Sequence, residues 1–183
     1  MFNYIINLLV QLYSPFLPTF IIMKKIITSL YLFTIAIASH SQEIPKWKIT
    51  DVEKLVDAKI GEVLVLNFWA TFCKPCVAEI PAFIEVAGKY KFEGVKLVLI
   101  SLDLPSYYPA KIKTFAAKHQ FDTNISWLDE TNADYFCPKV DSGWSGSIPA
   151  TLIVNTKTGY RFFTEGEMKA DIFEAELKKA FAK

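Results

Sequence analysis

The amino-acid sequence predicts an α/β fold, in which a central β-sheet is flanked by helices on both faces. Three observations support this fold class. Runs of β-branched and apolar residues alternate with segments in which apolar residues recur every three or four positions, as they do on one face of a helix. Two further runs, separated by the turn sequence TKTG, predict a β-hairpin. The chain then closes with an amphipathic segment that predicts a final helix.

The predicted elements follow one another in chain order. A short strand at 47–49 precedes a helix that reaches residue 58, and Thr50 with Glu53 is predicted to form the capping box that starts this helix. The apolar run 63–68 is typical of a strand buried on both faces. The remaining predicted elements are a helix at 74–90 kinked by Pro81, a strand at 95–102, a helix at 109–119, hairpin strands at 151–155 and 161–164, and a helix at 169–182.

The N-terminal segment has the order of an export signal. Residues 1–23 carry no charged side chain, and Met23 is followed by Lys24 and Lys25. An apolar run at 26–38 and small residues ahead of a cut before Gln42 complete the pattern of a secretory signal peptide. We therefore expect translation to start at Met23 and the protein to be exported to the periplasm or cell envelope.

Cleavage of this leader, residues 1–41, would leave residues 42–183 as one domain. The alternative is an uncleaved leader that tethers the domain to the membrane. Run 26–38 is shorter than a span of about 20 residues, but the whole leader is long enough. A formal net charge of +1 gives no indication of a nucleic-acid partner.

Two cysteines, Cys73 and Cys76, lie in the segment FWATFCKPCVAEIP, where the strand at 63–68 gives way to the helix at 74–90. The Cys73 sulfur would face the unpaired amides and the positive dipole end of that helix, which favours a thiolate. Lys74 adds a positive charge beside it. Because Cys76 lies one helical turn further on, it could attack a mixed disulfide formed at Cys73. The spacing therefore favours thiol-disulfide exchange.

Two other interpretations of the cysteine pair remain open at this point. A structural disulfide would close so small a loop that it would stabilise the fold only weakly. A soft-metal site, such as one for copper, needs three or four ligands, and the rest of the domain offers only Cys137 and His119. We therefore expect no metal site and no cofactor beyond the cysteine pair.

The segment FWATFCKPCVAEIP resembles the active-site segment of the TlpA/ResA-like group, exported bacterial thiol-disulfide oxidoreductases with a thioredoxin-like fold and a mixed sheet. The resemblance extends to the later segment SIPATLIVN. The matching positions are Trp69, Ala70, Cys73, Pro75, Cys76, Glu79, Pro81 and Pro149.

The resemblance implies roles for residues at both segments. Cys73 would attack and Cys76 would resolve. Pro149 would be a cis-proline that packs against the dithiol, and Ile148 would offer backbone groups to a substrate strand. Trp69, Lys74 and Pro75 are predicted to contact the substrate as well.

The chain departs from thioredoxin itself at Asn67, where thioredoxin carries a buried aspartate that accepts a proton. Glu79 is the natural replacement because it lies three residues beyond Cys76 on one helix face. The resemblance associates a glutamate at this position with thiol proton transfer. Our hypothesis is that Glu79 is partly buried and tunes deprotonation of Cys76. The alternative is a solvated surface carboxylate.

The segment 129–147 is predicted to be a long loop that leads into the cis-proline. Its aromatic residues Tyr135, Phe136 and Trp144 could line a groove that selects the partner, or they could cap the sheet edge. Cys137 in the same segment is predicted to be an inert buried thiol.

The predicted function is that of a protein-disulfide reductase, with a soft-metal chaperone or a redox-inert binding module as alternatives. The helix dipole and Lys74 stabilise the reduced form, which favours oxidation of partners, whereas Pro75 and the family resemblance favour reduction. The resemblance implies a disulfide-containing protein substrate, apocytochrome c among the candidates. A reductase in the envelope would also need a membrane protein as electron donor.

Overall fold

A computed structural model describes residues 43–58 and 63–182 of the chain. The predicted leader, residues 1–41 with the expected start at Met23, lies outside these residues. Within them, no helix is long and apolar enough to cross a membrane.

The described chain alternates between strands and helices, as the sequence predicts. The strands are β1 (Lys46–Trp47), β2 (Val63–Trp69), β3 (Val95–Ser101), β4 (Asn124–Leu128), β5 (Ala150–Asn155) and β6 (Tyr160–Glu165). The helices are α1 (Ile49–Asp57), α2 (Lys74–Lys89), α3 (Ala110–Lys118), α4 (Ala133–Val140) and α5 (Ala170–Phe181). Elements that the sequence predicts have boundaries within one or two residues of these.

All six strands form one mixed sheet in the order β1-β4-β3-β2-β5-β6. The pairs on the β1 side of β2 are parallel, whereas β2 with β5 and β5 with β6 are antiparallel. Strand β2 is buried along its whole length, because β3 and β5 pair with its two edges and helices cover its two faces. The predicted central mixed sheet is therefore confirmed.

Apolar clusters lie on both faces of this sheet. On one face the rings of Phe83 in α2 and Phe173 in α5 stack with centroids 4.1 Å apart, and both side chains are fully buried. On the other face Phe68, Phe136 and Trp144 belong to a second buried cluster. The two clusters fix the sheet between its helices and hold the end of β2 in place.

The predicted capping box of α1 is wrong. The helix begins at Ile49, and the backbone N–H of Lys48 donates to Asp51 Oδ2 at 2.9 Å. Asp51 thus takes the place that the prediction gave to Glu53, because the helix starts before Thr50 and the carboxylate needed is three residues beyond Lys48. Glu53 forms an ion pair with Lys139 on α4 instead, at 3.2 Å.

The predicted long loop at 129–147 is also wrong in part, because this segment contains helix α4. Pro138 lies inside this helix, and proline lacks an amide donor. Phe136, Cys137 and Val140 are nevertheless buried, and burial of this face outweighs the missing hydrogen bond. Strand β4, just before this segment, was not predicted either.

Candidate active site

A disulfide joins Cys73 and Cys76 at the start of α2. Cys73 is the N-cap residue of this helix, and its Sγ accepts a hydrogen bond from the backbone N–H of Cys76 at 3.3 Å. Cys73 is 8% exposed, whereas Cys76 is fully buried. Cys73 is therefore the more exposed of the two cysteines, and the helix amide from which its sulfur accepts would stabilise it as a thiolate.

Asp103, which the sequence analysis did not identify, holds the turn between β2 and α2. The backbone N–H of Thr71 lies 3.1 Å from both carboxylate oxygens of Asp103, and the Thr71 hydroxyl donates to Oδ1 at 2.6 Å. The Ser101 hydroxyl donates to Oδ2 at 2.8 Å. Asp103 follows β3, which runs parallel to β2, so both chain segments leave the sheet at one edge. The position of Thr71 and Asp103 just after two parallel strands is the signal in the sequence from which this contact could have been predicted.

The structure brings Ile148 and Pro149 to the disulfide. The Ile148–Pro149 peptide bond is cis. The Ile148 carbonyl oxygen lies 3.7 Å from Cys73 Sγ, so the chain just before β5 forms one wall beside the reactive sulfur. The backbone of Ile148 therefore lies next to the sulfur of Cys73.

Glu79 is buried beneath this site, with a side chain only 4% exposed. Its Oε1 accepts from Asn67 Nδ2 at 2.8 Å, and its Oε2 accepts from the backbone N–H of Met168 at 2.9 Å. Burial raises the pKa of the Glu79 carboxyl to about 7, although both hydrogen bonds act in the opposite direction. The predicted burial of Glu79 is confirmed, and a solvated surface position is excluded.

Asn67 connects Glu79 to β5. Its Nδ2 also donates to Thr151 Oγ1 at 3.1 Å, and its Oδ1 has no hydrogen-bond partner within residues 43–58 and 63–182. Since both Glu79 oxygens face N–H donors, these bonds fit the ionised carboxylate. A protonated Glu79 would fit the same site if the Asn67 amide turned over and presented Oδ1 to the new O–H. From the sequence, Asn67 is recognised only as the position where the proton-accepting aspartate of thioredoxin is absent. Its hydrogen bond to Thr151 is not predicted.

Two tryptophans predicted to contact the substrate are buried instead. Trp69 is fully buried, and its ring packs edge-on against Phe121 with centroids 5.5 Å apart. Trp144 is 5% exposed, and its ring lies 4.6 Å from that of Phe68. Predictions of substrate contact by Trp69 and Trp144 are therefore wrong, because apolar burial in the two sheet clusters outweighs their position near the motif.

The exposed residues near Cys73 in the sequence are not the two tryptophans. Lys74 and Pro75, both predicted to contact substrate, are exposed. Phe72 is 66% exposed and Leu104 is 62% exposed. Phe72 lies between Thr71 and Cys73 in the chain. Leu104 directly follows Asp103, whose carboxylate accepts from Thr71. Neither Phe72 nor Leu104 is predicted as a site residue from the sequence.

Cys137 is a buried free thiol on α4, with 3% of its surface exposed. Burial raises its pKa to about 11, and the negative charges of Glu165 and Asp134 add to this effect. The predicted burial of Cys137 is confirmed. Among the described residues, no group of three or more His, Cys, Asp or Glu side chains is arranged to hold a metal ion.

Comparison with known proteins agrees with this geometry. Residues 41–159 match the model of the AhpC/TSA family. The chain belongs to the AhpC/TSA family. A solved thioredoxin-related protein from Neisseria meningitidis serogroup B aligns with a TM-score of 0.58 and 28% identity, over 67% of this chain and 87% of that one. The thioredoxin-like fold that the motif implied is therefore confirmed.

Curated relatives of the chain are named as thiol-disulfide oxidoreductases. The chain is 41% identical over 66 residues to the thiol-disulfide oxidoreductase ResA of Bacillus anthracis, a match that covers 34% of this chain and 38% of the relative. It is 26% identical over 140 residues to ResA of Geobacillus kaustophilus, covering 73% of this chain and 74% of that protein. The resemblance to ResA-like proteins is confirmed, and the first match spans well under half of the relative's length.

Proposed function

We propose that this protein is an exported thiol-disulfide oxidoreductase that reduces protein disulfides through Cys73 and Cys76. One observation carries the proposal: the Cys73 sulfur caps α2, accepts the Cys76 amide at 3.3 Å and lies 3.7 Å from the Ile148 carbonyl beside a cis-proline. This arrangement stabilises a thiolate and leaves it accessible next to a backbone that can align a substrate. The names of the ResA relatives support the same chemistry.

In the proposed reaction, the reduced protein donates two electrons to a substrate disulfide. The Cys73 thiolate attacks one substrate sulfur, the substrate S–S bond breaks, and the leaving substrate thiolate takes up a proton. Cys76 then loses its proton and attacks Cys73 Sγ in the mixed disulfide. The substrate leaves as a dithiol, and the protein is left with the Cys73–Cys76 disulfide present in the structure.

Glu79 is the proposed acceptor of the Cys76 proton. Cys76 and Glu79 are both buried on α2 and are separated by three positions, one helical turn. A carboxyl with a pKa of about 7 changes its protonation state near neutral pH, where it can both take and release a proton. Asn67 donates a hydrogen bond to one oxygen of the Glu79 carboxylate and Met168 donates to the other, and the two bonds hold the side chain in place.

The direction, the location and the partners belong to the proposal as well. The residue order at 24–41 supports export to the periplasm or cell envelope, through a cleaved leader or with the leader as a membrane tether. A reductase there needs electrons from a membrane donor. The substrate is a disulfide-bonded protein, and apocytochrome c is one candidate. No cofactor besides the cysteine pair is needed for the exchange.

The test uses the protein expressed with its leader and purified from the cell envelope. The reduced protein is mixed with a peptide that contains one intramolecular disulfide, and all thiols are then alkylated and counted by mass. We expect two thiols to appear on the peptide for each protein disulfide formed. Cys73→Ser should abolish the transfer, and Cys76→Ser should accumulate a mixed disulfide. Cys137→Ser is the matched control and should react normally.

Two results would contradict the proposal. If Cys73→Ser transferred electrons as fast as the unchanged protein, the assigned nucleophile would be wrong. If the purified protein retained a stoichiometric soft metal and reduced no disulfide, a metallochaperone would replace the reductase.

A further inference from the structure

We propose that Glu165 is a positioning residue that holds the cis-proline loop, residues 144–149, in the shape that receives a protein substrate beside Cys73. The proposal rests on the reductase function and adds a residue that determines how substrate binds. Glu165 is the last residue of β6 and pairs with Ala150, the first residue of β5. It therefore lies at the point where the loop enters the sheet.

The Glu165 carboxylate accepts three hydrogen bonds from the loop. The backbone N–H of Ser147 donates to Oε1 at 2.9 Å, and that of Ser145 donates to Oε2 at 3.1 Å. The Ser145 hydroxyl also donates to Oε1. Together these bonds join two alternate residues of the loop to a single side chain, so that both carboxylate oxygens are occupied by the loop.

The same bonds explain why a carboxylate is needed. Hydrogen bonds from the Ser145 hydroxyl and the Ser145 amide, with those from Ser147, lower the pKa of Glu165 to about 2. Glu165 is thus ionised at every pH at which the protein would work. Backbone amides that point away from a strand partner need another acceptor, and an ionised carboxylate supplies a strong one to each.

Other contacts hold the loop from its remaining sides. Trp144 Nε1 donates to the Ser147 carbonyl at 2.8 Å, and the Gly166 N–H donates to the Pro149 carbonyl at 2.8 Å. Gly146 adopts a φ of +95°, which favours glycine, and lies against α4 near Cys137. Within this arrangement, Glu165 is the group that accepts hydrogen bonds from the backbone amides of Ser145 and Ser147.

The loop matters for substrate because Ser147 directly precedes Ile148, whose carbonyl oxygen lies 3.7 Å from Cys73 Sγ. A substrate chain that aligns along Ile148 needs this backbone in one place. A loop that is already ordered spares the complex the entropic cost of ordering it on binding. Release of the Glu165 contacts should therefore weaken binding of a protein or peptide disulfide and leave the intrinsic reactivity of Cys73 unchanged.

The first experiment separates binding from chemistry. Single-turnover oxidation of the reduced, full-length exported protein is followed at rising concentrations of a peptide with one intramolecular disulfide. For Glu165→Ala we expect the half-saturating concentration to rise about tenfold and the maximal rate constant to change less than about twofold. Glu165→Gln, which keeps the shape and one acceptor oxygen, should give an intermediate rise of about threefold. Reaction with the small disulfide dithiobis(nitrobenzoate) should be unchanged in both variants.

Glu93→Ala is the matched control, since Glu93 is exposed on the short helical turn at Lys91–Glu93 and should change neither reaction. The proposal is overturned if Glu165→Ala binds the peptide normally. It is equally overturned if reactions with the peptide and the small disulfide slow down by the same factor, because Glu165 would then act on the dithiol or on the fold.

Amide hydrogen exchange tests the positioning role without any activity. In the oxidised protein, exchange of the Ser145 and Ser147 amides should become at least about tenfold faster in Glu165→Ala than in Glu93→Ala, while β2 amides stay protected. Unchanged exchange at Ser147 would overturn the proposal whatever the protein reduces. Faster exchange in a protein that reduces no disulfide would leave Glu165 as the loop's anchor and reject the reductase function alone.

Discussion

At the scale of single residues, the pKa values of two glutamates of this site are shifted in opposite directions. Glu79 is surrounded by the sheet and α2, and its burial raises the pKa to about 7. Glu165 lies at the surface and accepts three loop donors, which lower its pKa to about 2. Because the two side chains are chemically identical, the difference comes from desolvation at Glu79 and from hydrogen bonding at Glu165. The first is suited to proton transfer and the second to holding a backbone.

The raised pKa of Glu79 predicts how stability depends on pH. Between about pH 4.5 and 7 the folded protein keeps a proton that the unfolded chain has released, so the free energy of unfolding falls as pH rises through this window and levels off above it. The full effect is at most about 3 kcal/mol. Glu79→Gln should remove this slope. Urea unfolding of both oxidised proteins at pH 4.5 and pH 8 measures it, and equal slopes would contradict the assignment.

Glu79→Gln should also change the reactivity of Cys76. Without a proton acceptor one helical turn away, the dependence of Cys76 alkylation on pH should lose the inflection near pH 7. The measurement is the alkylation rate of Cys76 in the Cys73→Ser background, with and without Glu79→Gln. An unchanged pH profile would reject Glu79 as the group that receives the Cys76 proton.

Asn67 gives a further test of the buried network. Its amide donates to Glu79 at 2.8 Å and thereby lowers the pKa of that carboxyl. Asn67→Leu has a similar volume and lacks the donor, so the Glu79 pKa should rise further, by about one unit. NMR titration of the Glu79 carboxyl measures this directly, with Thr151→Val as the comparison that removes only the second partner of Asn67. A Glu79 pKa that stays at about 7 in Asn67→Leu would contradict this account.

At the scale of elements, the start of α2 determines the chemistry of Cys73. The Cys76 amide and the helix dipole stabilise negative charge on Cys73 Sγ, and exposed Lys74 adds a screened contribution. Lys74→Gln should therefore favour the disulfide, lowering the reduction potential by about 10 to 20 mV. Equilibration in glutathione buffers measures the shift, with Lys89→Gln at the other end of α2 as control. A shift to a higher potential would contradict this contribution of charge.

The burial of Cys137 in helix α4 predicts that this thiol is alkylated slowly in the folded protein. Because this thiol is buried and its pKa is raised to about 11, it should react with iodoacetamide at pH 8 at least about a hundredfold more slowly than a free cysteine. Full reactivity should return in 6 M urea. Peptide mass analysis of the oxidised protein identifies the labelled residue. Rapid labelling of the folded protein would mean that α4 opens readily.

The sequence predicts the elements whose patterns are local. Strand β2 is apolar throughout, and α2 carries apolar residues at helical spacing, so both appear within one residue of their predicted bounds. Helix α4 was missed because Pro138 lies inside it and because its buried face packs against α1 and the sheet, which the local pattern does not show. The capping carboxylate of α1 is Asp51 and not Glu53, because the helix starts at Ile49, before the predicted start. Asp51 is then the carboxylate three residues beyond the N-cap Lys48.

In the candidate site, too, local features are predicted from the sequence and contacts between distant segments are not. The cysteine pair and the placement of Glu79 on the helix face of Cys76 follow from residue types at fixed spacing, and the cis-proline is implied by the resemblance to the TlpA/ResA-like group. Contacts between distant segments do not follow from either, and these include Asp103 with Thr71 and Glu165 with Ser147. Trp144 was misplaced for a related reason: an aromatic residue near a motif fits a binding surface and a core equally well, and only the packing of Phe68 and Phe136 places it in the core.

At the scale of the whole molecule, the mixed sheet assembles the site. Strand β2 delivers Cys73 at its carboxyl end, and parallel β3 delivers Asp103 at the same edge. Antiparallel β5 begins at that edge, with Ala150 opposite Phe68, so Pro149 arrives beside the disulfide. Three segments far apart in sequence therefore meet at one end of the sheet, and helices on both faces hold them there.

The reduction potential of the Cys73–Cys76 pair tests the central claim most directly, because it fixes the direction in which electrons flow. It would be measured on the protein purified from the cell envelope, by equilibration in redox buffers read out by alkylation and mass. The account predicts a midpoint below about −220 mV, in the range of glutaredoxins and thioredoxin, as a reductase needs. A midpoint near −120 mV, as in a strong periplasmic oxidant, would contradict the reductase function and leave the cysteine pair as an oxidant of its partners.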